Sequence, residues 1–247
     1  MIVGIIPARY ASTRFPGKPL ADILGKSMIQ RVYEQAGKSK LLEKIVVATD
    51  DERIYHHIKD SGGNVVMTKV DHPSGTDRCL EALDQLKESF EYVINIQGDE
   101  PLISPQQIDE LAGILNDDSI ELATQMIKVN DPELLFNYSE VKIVVNENME
   151  AMYFSRQPIP YLKDVPENIW HLHHTYYRHA GMYAYRTDIL EKITGLPVST
   201  LEKAESLEQL RWLEYGFKIK CIVTEFESLC VDSPEDIEAI VNRLKKE

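Results

Sequence analysis

The sequence predicts an α/β fold: a doubly wound, mixed but mostly parallel sheet with helices on both faces. Three observations carry this. Residues 2–7 form a short, wholly apolar run, as a strand covered on both faces requires. Further runs of that kind alternate with amphipathic helical patterns, the rhythm of βαβ units. Past about residue 141 two short runs flank Asn146-Glu147-Asn148, a polar turn suited to an antiparallel hairpin, which makes the sheet mixed.

Taken in order, the first run ends in a polar loop. Ser27 and Gln30 then spell a capping box, and Met28, Ile29, Val32, Tyr33 and Ala36 recur at helical spacing. A strand at 44–49, a helix from about Asp51, a strand at 64–68, a helix over 75–87 and a strand at 92–97 follow. Ser104, Pro105 and Gln107 read as cap, first-turn proline and box closure, before a strand at 121–129. The hairpin pairs 141–145 with 151–155. Residues 179–185 form a strand, 201–215 a helix and 218–224 a strand, and Ser233-Pro234-Glu235 opens the terminal helix. With no repeat, low-complexity tract or linker, 1–247 is read as a single domain.

The formal net charge of -13 sets a field that repels nucleic acid and anionic lipid, so no nucleic-acid partner is expected. No apolar run approaches the roughly 18 residues that span a bilayer, so membrane insertion is not expected either. Pro7 and Arg9 interrupt the opening run, and no basic segment precedes it, unlike a signal peptide. Cys79, Cys221 and Cys230 show no C-x-x-C spacing and fit inert, reduced thiols in the cytoplasm. A phosphorylated small molecule is compatible with this charge only where bases cluster locally, with a divalent cation.

In open α/β sheets ligands sit beyond the carboxyl ends of the strands, here near Pro7, Thr49, Gln97 and residues 230–232. The loop 7–18 carries Arg9, Arg14 and Lys18 among small residues, with Gly17 permitting unusual dihedrals. It suits a triphosphate, although a solvated basic loop is the plain alternative. It is not a Walker loop, since Ser12 replaces the first glycine and Pro19 follows the lysine. Asn95-Ile96-Gln97-Gly98-Asp99-Glu100-Pro101 ends a buried strand in carboxylates, and Mg²⁺ takes one or two of these with phosphates and water. Asp232 is a candidate partner for Asp99, although spacing along the chain does not show that the two meet; a turn acid and a residue preceding a helix are the alternatives. Ser74-Gly75-Thr76-Asp77-Arg78 reads as helix capping or as donors for a base, with Arg78 able to meet a carboxylate. His171-Leu172-His173-His174 lacks any metal-site spacing and reads as a solvated loop. No nucleophile motif is present, and direct displacement needs none.

These motifs together resemble the 3-deoxy-manno-octulosonate (Kdo) cytidylyltransferases over nearly the whole chain. The resemblance rests on Ile6-Pro7-Ala8-Arg9-Tyr10-Ala11-Ser12-Thr13-Arg14, Pro16-Gly17-Lys18-Pro19, Ser74 to Arg78, Gln97-Gly98-Asp99-Glu100-Pro101, Tyr153-Phe154-Ser155-Arg156, Arg178-His179, Leu207-Glu208-Gln209-Leu210-Arg211 and Val231 to Asp236. It implies a nucleotide-diphospho-sugar transferase-like fold and the reaction of CTP with Kdo to CMP-Kdo and pyrophosphate for lipopolysaccharide synthesis. The mechanism expected is in-line attack of the Kdo anomeric hydroxyl on the α-phosphorus of CTP. By motif position Arg9, Arg14 and Lys18 would hold phosphates, Ala8 and Ser74 would lie near cytosine, and Asp99 with Asp232 would hold Mg²⁺. Arg78, Gln97, Arg156, His179, Tyr183, Glu208 and Gln209 would line the sugar pocket. The resemblance also implies a homodimer, with much of its contact from the hairpin-containing region around 130–190. The chain departs from the family at Ala180-Gly181-Met182-Tyr183-Ala184-Tyr185 and over 161–177, which bears on fine substrate preference. Alternatives are activation of a sialic acid or amino-Kdo, and a catalytically silent nucleotide-sugar sensor on the same fold.

Overall fold

The apolar opening run becomes β1 (Ile2–Ala8) in the computed structural model, which describes residues 1–11 and 15–246. Contacts divide the chain into two units, Met1–Asn116 with Glu227–Glu247, and Asp117–Phe226.

In the first unit β1 is followed by the two-residue pair β2 (Asp22–Ile23) and β3 (Lys26–Ser27), then α1 (Met28–Ala36), β4 (Lys44–Thr49), α2 (Glu52–Asp60), β5 (Val65–Met67), α3 (Gly75–Asp84), β6 (Tyr92–Asn95) and α4 (Pro105–Gly113). β1 runs parallel to β4 on one side and β6 on the other, and β4 runs parallel to β5. Val3, Ile5, Ile6, Val46, Val47, Val93 and Ile94 are wholly buried, as strands covered on both faces require. Ser27 Oγ accepts from the Gln30 amide at 3.2 Å, but the Gln30 side chain turns to Glu34, so only half of the expected box forms. At α4 the box is absent: Ser104 Oγ donates to Gln106 Oε1 at 2.8 Å, and Gln107 is buried instead of reaching back.

The second unit holds β7 (Leu122–Val129), α5 (Pro132–Phe136), β8 (Lys142–Val145), β9 (Ala151–Ser155), α6 (Trp170–His173), β10 (Tyr176–Arg186), α7 (Thr187–Thr194), α8 (Thr200–Glu205), α9 (Gln209–Glu214) and β11 (Ile219–Val223). β7 lies antiparallel to β10 and parallel to β11, while β8 lies antiparallel to both β9 and β10. The expected hairpin is present, its turn tied by Asn146 Oδ1 accepting from the amides of Asn148 and Glu150, each at 2.9 Å. β10 starts before residue 179, because Tyr176 is buried with Val129, Leu135 and Trp170 in a local apolar cluster. The single helix expected over 201–215 is two, broken at Ser206 with φ 54°. Arg211 joins them through a fork to Glu202, with Nε to Oε2 at 2.7 Å and Nη2 to Oε1 at 2.5 Å.

From Glu227 the chain belongs again to the first unit and ends in α10 (Asp236–Leu244). The helix opens later than its Ser-Pro-Glu signal suggests. Asp236 Oδ2 accepts from the amides of Asp232 and Ser233 at 2.9 and 2.8 Å, which folds 232–235 into a turn before the helix. Val231 and Ile240 are buried with Ile23 and Met28, which fixes this closing segment to the unit's core. Among the described residues no helix is long and apolar enough to cross a membrane.

Candidate active site

The end of β1 organises the first unit's polar corner. A Cβ built on Gly98 would stand 2.7 Å from the Pro7 carbonyl oxygen, so only glycine lets the chain after β6 cross the tip of β1 this closely. Asp99 follows directly. The Val231 amide donates to the Asp99 carbonyl oxygen at 2.9 Å, which lays the closing segment beside that turn. Val231 is buried, while Cys230 and Asp232 on either side of it are exposed. Ligand atoms of Asp99, Cys230 and Asp232 all lie within 4.8 Å of one another. The two aspartates, distant in sequence, are thus brought to one place.

Lys18 completes the corner. Its Nζ donates to Asp99 Oδ2 at 2.9 Å and to the Val231 carbonyl oxygen at 2.7 Å. Although Cys230 is exposed, desolvation by the surrounding protein, then the charges of Asp99 and Asp232, push its thiol well above the ordinary range. The oxygen donors suit a hard divalent cation, which takes one or two carboxylates and fills its remaining positions with water and phosphate oxygens. Among the described residues this is the one group of three or more metal-ligating side chains, and the histidines at 171–174 form none.

The basic loop is held by its ends. Gly17 has φ 76° and its amide donates to the Tyr10 carbonyl oxygen at 3.0 Å, while the Tyr10 ring packs where a Cβ on Gly17 would project. Arg53 lies over the Tyr10 ring at 3.3 Å and is forked onto Asp51. The only signal of this extra cation in the sequence is the Asp51-x-Arg53 spacing at a helix start. Arg9 is exposed and Ala8 buried; Arg14, with Ser12 and Thr13, lies outside the described residues.

Ser74 caps α3, accepting from the Asp77 amide at 3.2 Å. A Cβ on Gly75 would sit 3.6 Å from Pro7 and 3.7 Å from Asn95 Nδ2, so α3 begins against the ends of β1 and β6. Arg78 is buried and donates to Asp50 Oδ2 at 3.0 Å and Thr68 Oγ1 at 2.5 Å. The carboxylate that Arg78 meets is therefore the chain's own, just past β4. Gln97 is half-buried after β6.

In the second unit the sequence-predicted residues fall into two groups. On β10, His179 Nε2 is 2.9 Å from Thr124 Oγ1, with Phe154 and Tyr183 rings at 5.4 and 4.9 Å. Burial pushes its pKa down to about 3, so the imidazole is neutral at physiological pH. Burial also raises the Tyr183 phenol well above its usual value, helped by Tyr185, Cys221 and Glu208. The Tyr183 hydroxyl and Trp212 Nε1 have no hydrogen-bond partner among the described residues. Glu208 and Gln209 open α9 one turn before Trp212, whose ring is 5.1 Å from that of Tyr183. Arg156 lies elsewhere, its Nε donating to the Glu205 carbonyl oxygen at 2.8 Å and its amide to Glu205 Oε2 at 3.0 Å. Two residues here were not foreseen: Glu205, and Lys142, wholly buried with Nζ on the carbonyl oxygens of Asn137 and Glu140 and its pKa pushed down to about 8 by burial. A lysine inside an alternating strand gave no sign of that role.

The cytidylyltransferase family model matches residues 3–220. The 3-deoxy-manno-octulosonate cytidylyltransferase of Cytophaga hutchinsonii is 56% identical over 96% of this chain and 94% of its own. That of Bacteroides thetaiotaomicron is 50% identical over 98% of both. A solved CMP:2-keto-3-deoxy-manno-octonic acid synthetase complexed with CTP superposes with a TM-score of 0.91 at 40% identity, covering 99% of this chain and 98% of that one. A cytidylyltransferase from Leptospira borgpetersenii, at TM-score 0.65 and 17% identity over 100% of this chain and 87% of its own, shares the fold. The sheet, the carboxylate corner and these likenesses agree: the chain belongs to the 3-deoxy-manno-octulosonate cytidylyltransferase family and has its nucleotide-diphospho-sugar transferase-like fold.

Proposed function

We propose that this protein is a nucleotidyltransferase that activates Kdo with CTP, giving CMP-Kdo and pyrophosphate for lipopolysaccharide assembly. The observation that carries it is the meeting of Lys18, Asp99 and Asp232 at one corner. Relatives of that name at about half identity across nearly the full chain support the choice of both substrates.

In the proposed reaction the sugar's anomeric oxygen forms a bond to the α-phosphorus of CTP, the bond to the bridging oxygen breaks, and pyrophosphate departs. Asp99 and Asp232 would hold Mg²⁺, which when bound would supply positive charge to phosphoryl oxygens. Lys18 and the exposed Arg9 orient the triphosphate and offset charge on its oxygens, with Arg14 assigned the same task. Ala8 and Ser74 are assigned to the cytosine. Arg78, Gln97, Arg156, His179, Tyr183, Glu208 and Gln209 are assigned to the sugar. A neutral His179 and a protonated Tyr183 present hydrogen-bonding groups to hydroxyls without adding charge. The protein works in the cytoplasm as a homodimer, with the region around 130–190 supplying much of the contact.

Pyrophosphate release with CTP, Mg²⁺ and a panel of acidic sugars tests this reading. Turnover is expected with Kdo; preference for a sialic acid or amino-Kdo would reassign the substrate, and nucleotide binding without release would indicate a sensor.

A further inference from the structure

We infer that Cys230 is a third donor of the Asp99–Asp232 cation site, so that thiophilic divalent ions such as Zn²⁺, Cd²⁺ and Co²⁺ bind there through a sulfur–metal bond. The inference rests on the proposed cation site and adds its metal preference.

Three observations support it. First, Cys230 Sγ and one oxygen from each of Asp99 and Asp232 lie within 4.8 Å of one another. Bond lengths of about 2.0–2.3 Å in tetrahedral geometry place donor atoms roughly 3.5 Å apart, so small side-chain rotations close the set on an ion. Second, the backbone fixes this convergence. Between Cys230 and Asp232, buried Val231 packs with Ile23, Met28 and Ile240, donates its amide to the Asp99 carbonyl oxygen at 2.9 Å, and accepts from Lys18 at 2.7 Å. Third, the thiol is open to an entering ion, which displaces the Lys18 ammonium from Asp99 Oδ2, 2.9 Å away. Cys230 is a free, exposed thiol, whereas Cys79 and Cys221 are buried.

Donor chemistry then separates the metals. Mg²⁺ and Mn²⁺ favour oxygen and use the carboxylates with water, leaving the thiol aside. Softer ions take sulfur as well: the S–H bond breaks, the sulfur–metal bond forms, and the proton passes to solvent.

The test uses the purified full-length chain without nucleotide and needs no turnover. Co²⁺ is titrated while its near-ultraviolet sulfur-to-metal charge-transfer band is recorded, Cd²⁺ affinity is measured by calorimetry, and Mn²⁺ affinity by electron paramagnetic resonance. The wild-type chain is expected to show the band. Cys230→Ser is expected to lose it and to weaken Cd²⁺ at least roughly tenfold while keeping Mn²⁺ affinity. Asp99→Asn is expected to weaken both metals. A band that survives in Cys230→Ser, or Co²⁺ bound with no band in the wild type, overturns the role of Cys230 and leaves the carboxylate site standing. Mn²⁺ binding indifferent to Asp99→Asn overturns the carboxylate site itself.

Discussion

Lys18 Nζ bridges two segments far apart in sequence, lying 2.9 Å from Asp99 Oδ2 and 2.7 Å from the Val231 carbonyl oxygen. The loop after β1, the turn after β6 and the closing segment thus share one ammonium. Asp99→Asn removes a charge but leaves the Val231 amide on the Asp99 main-chain carbonyl, so the fold is expected to persist. Loss of the carboxylate charge proposed to hold the metal, and of the lysine's partner, is expected to lower kcat by about 10²–10³-fold or more. Pyrophosphate release at saturating Mg²⁺ checks this, and near-normal turnover would remove Asp99 from the mechanism.

Gly98→Ala places a methyl 2.7 Å from the Pro7 carbonyl oxygen, a backbone atom that cannot rotate away. Separation of β1 from the turn is expected to cost about 1–3 kcal/mol, as overpacking does elsewhere. Urea denaturation reads the loss of stability, and a lower affinity for metal should accompany it because Asp99 moves with the turn.

His179 gives a pH signature. Its folded pKa of about 3 lies below the unfolded value near 6.5, so below pH 6.5 the unfolded chain binds a proton that the native chain refuses. The contribution is therefore present above the unfolded pKa and is lost as pH falls toward 3. Nuclear magnetic resonance should show imidazole signals of His179 that do not titrate between pH 8 and 5. Denaturation at pH 7 and pH 5 should show a larger drop for wild type than for His179→Gln; equal drops would contradict the assignment.

Arg211 and Glu202 form a nearly buried fork between α8 and α9. Arg211→Met strands a carboxylate and is expected to destabilise by about 3–5 kcal/mol. The double variant Arg211→Met/Glu202→Gln keeps the cap at Ser199 and removes the stranded charge, so it should recover much of the loss in chemical denaturation.

Much of this molecule is legible in its sequence because the signals are local. Apolar runs placed β1, β4 and β6, and Asn146-Glu147-Asn148 marked the hairpin. The convergence of Asp99 with Asp232 was legible only through likeness to a family, since spacing along a chain says nothing of folding back. The failures have physical causes. Ser206 takes a left-handed φ that leucine periodicity over 201–215 does not reveal. Ser104 and Gln107 spelled a capping box, but burial of the glutamine outweighed the cap.

The return of residues 227–244 to the first unit bears on the order of synthesis. The strands that flank β1 emerge early from the ribosome, yet Val231 and Asp232 emerge after the whole of the second unit has been made. The nascent first unit therefore holds Lys18 and Asp99 with neither the carbonyl nor the second carboxylate that completes their corner. Until those residues are made, Ile23 and Met28 lack their buried partners Val231 and Ile240.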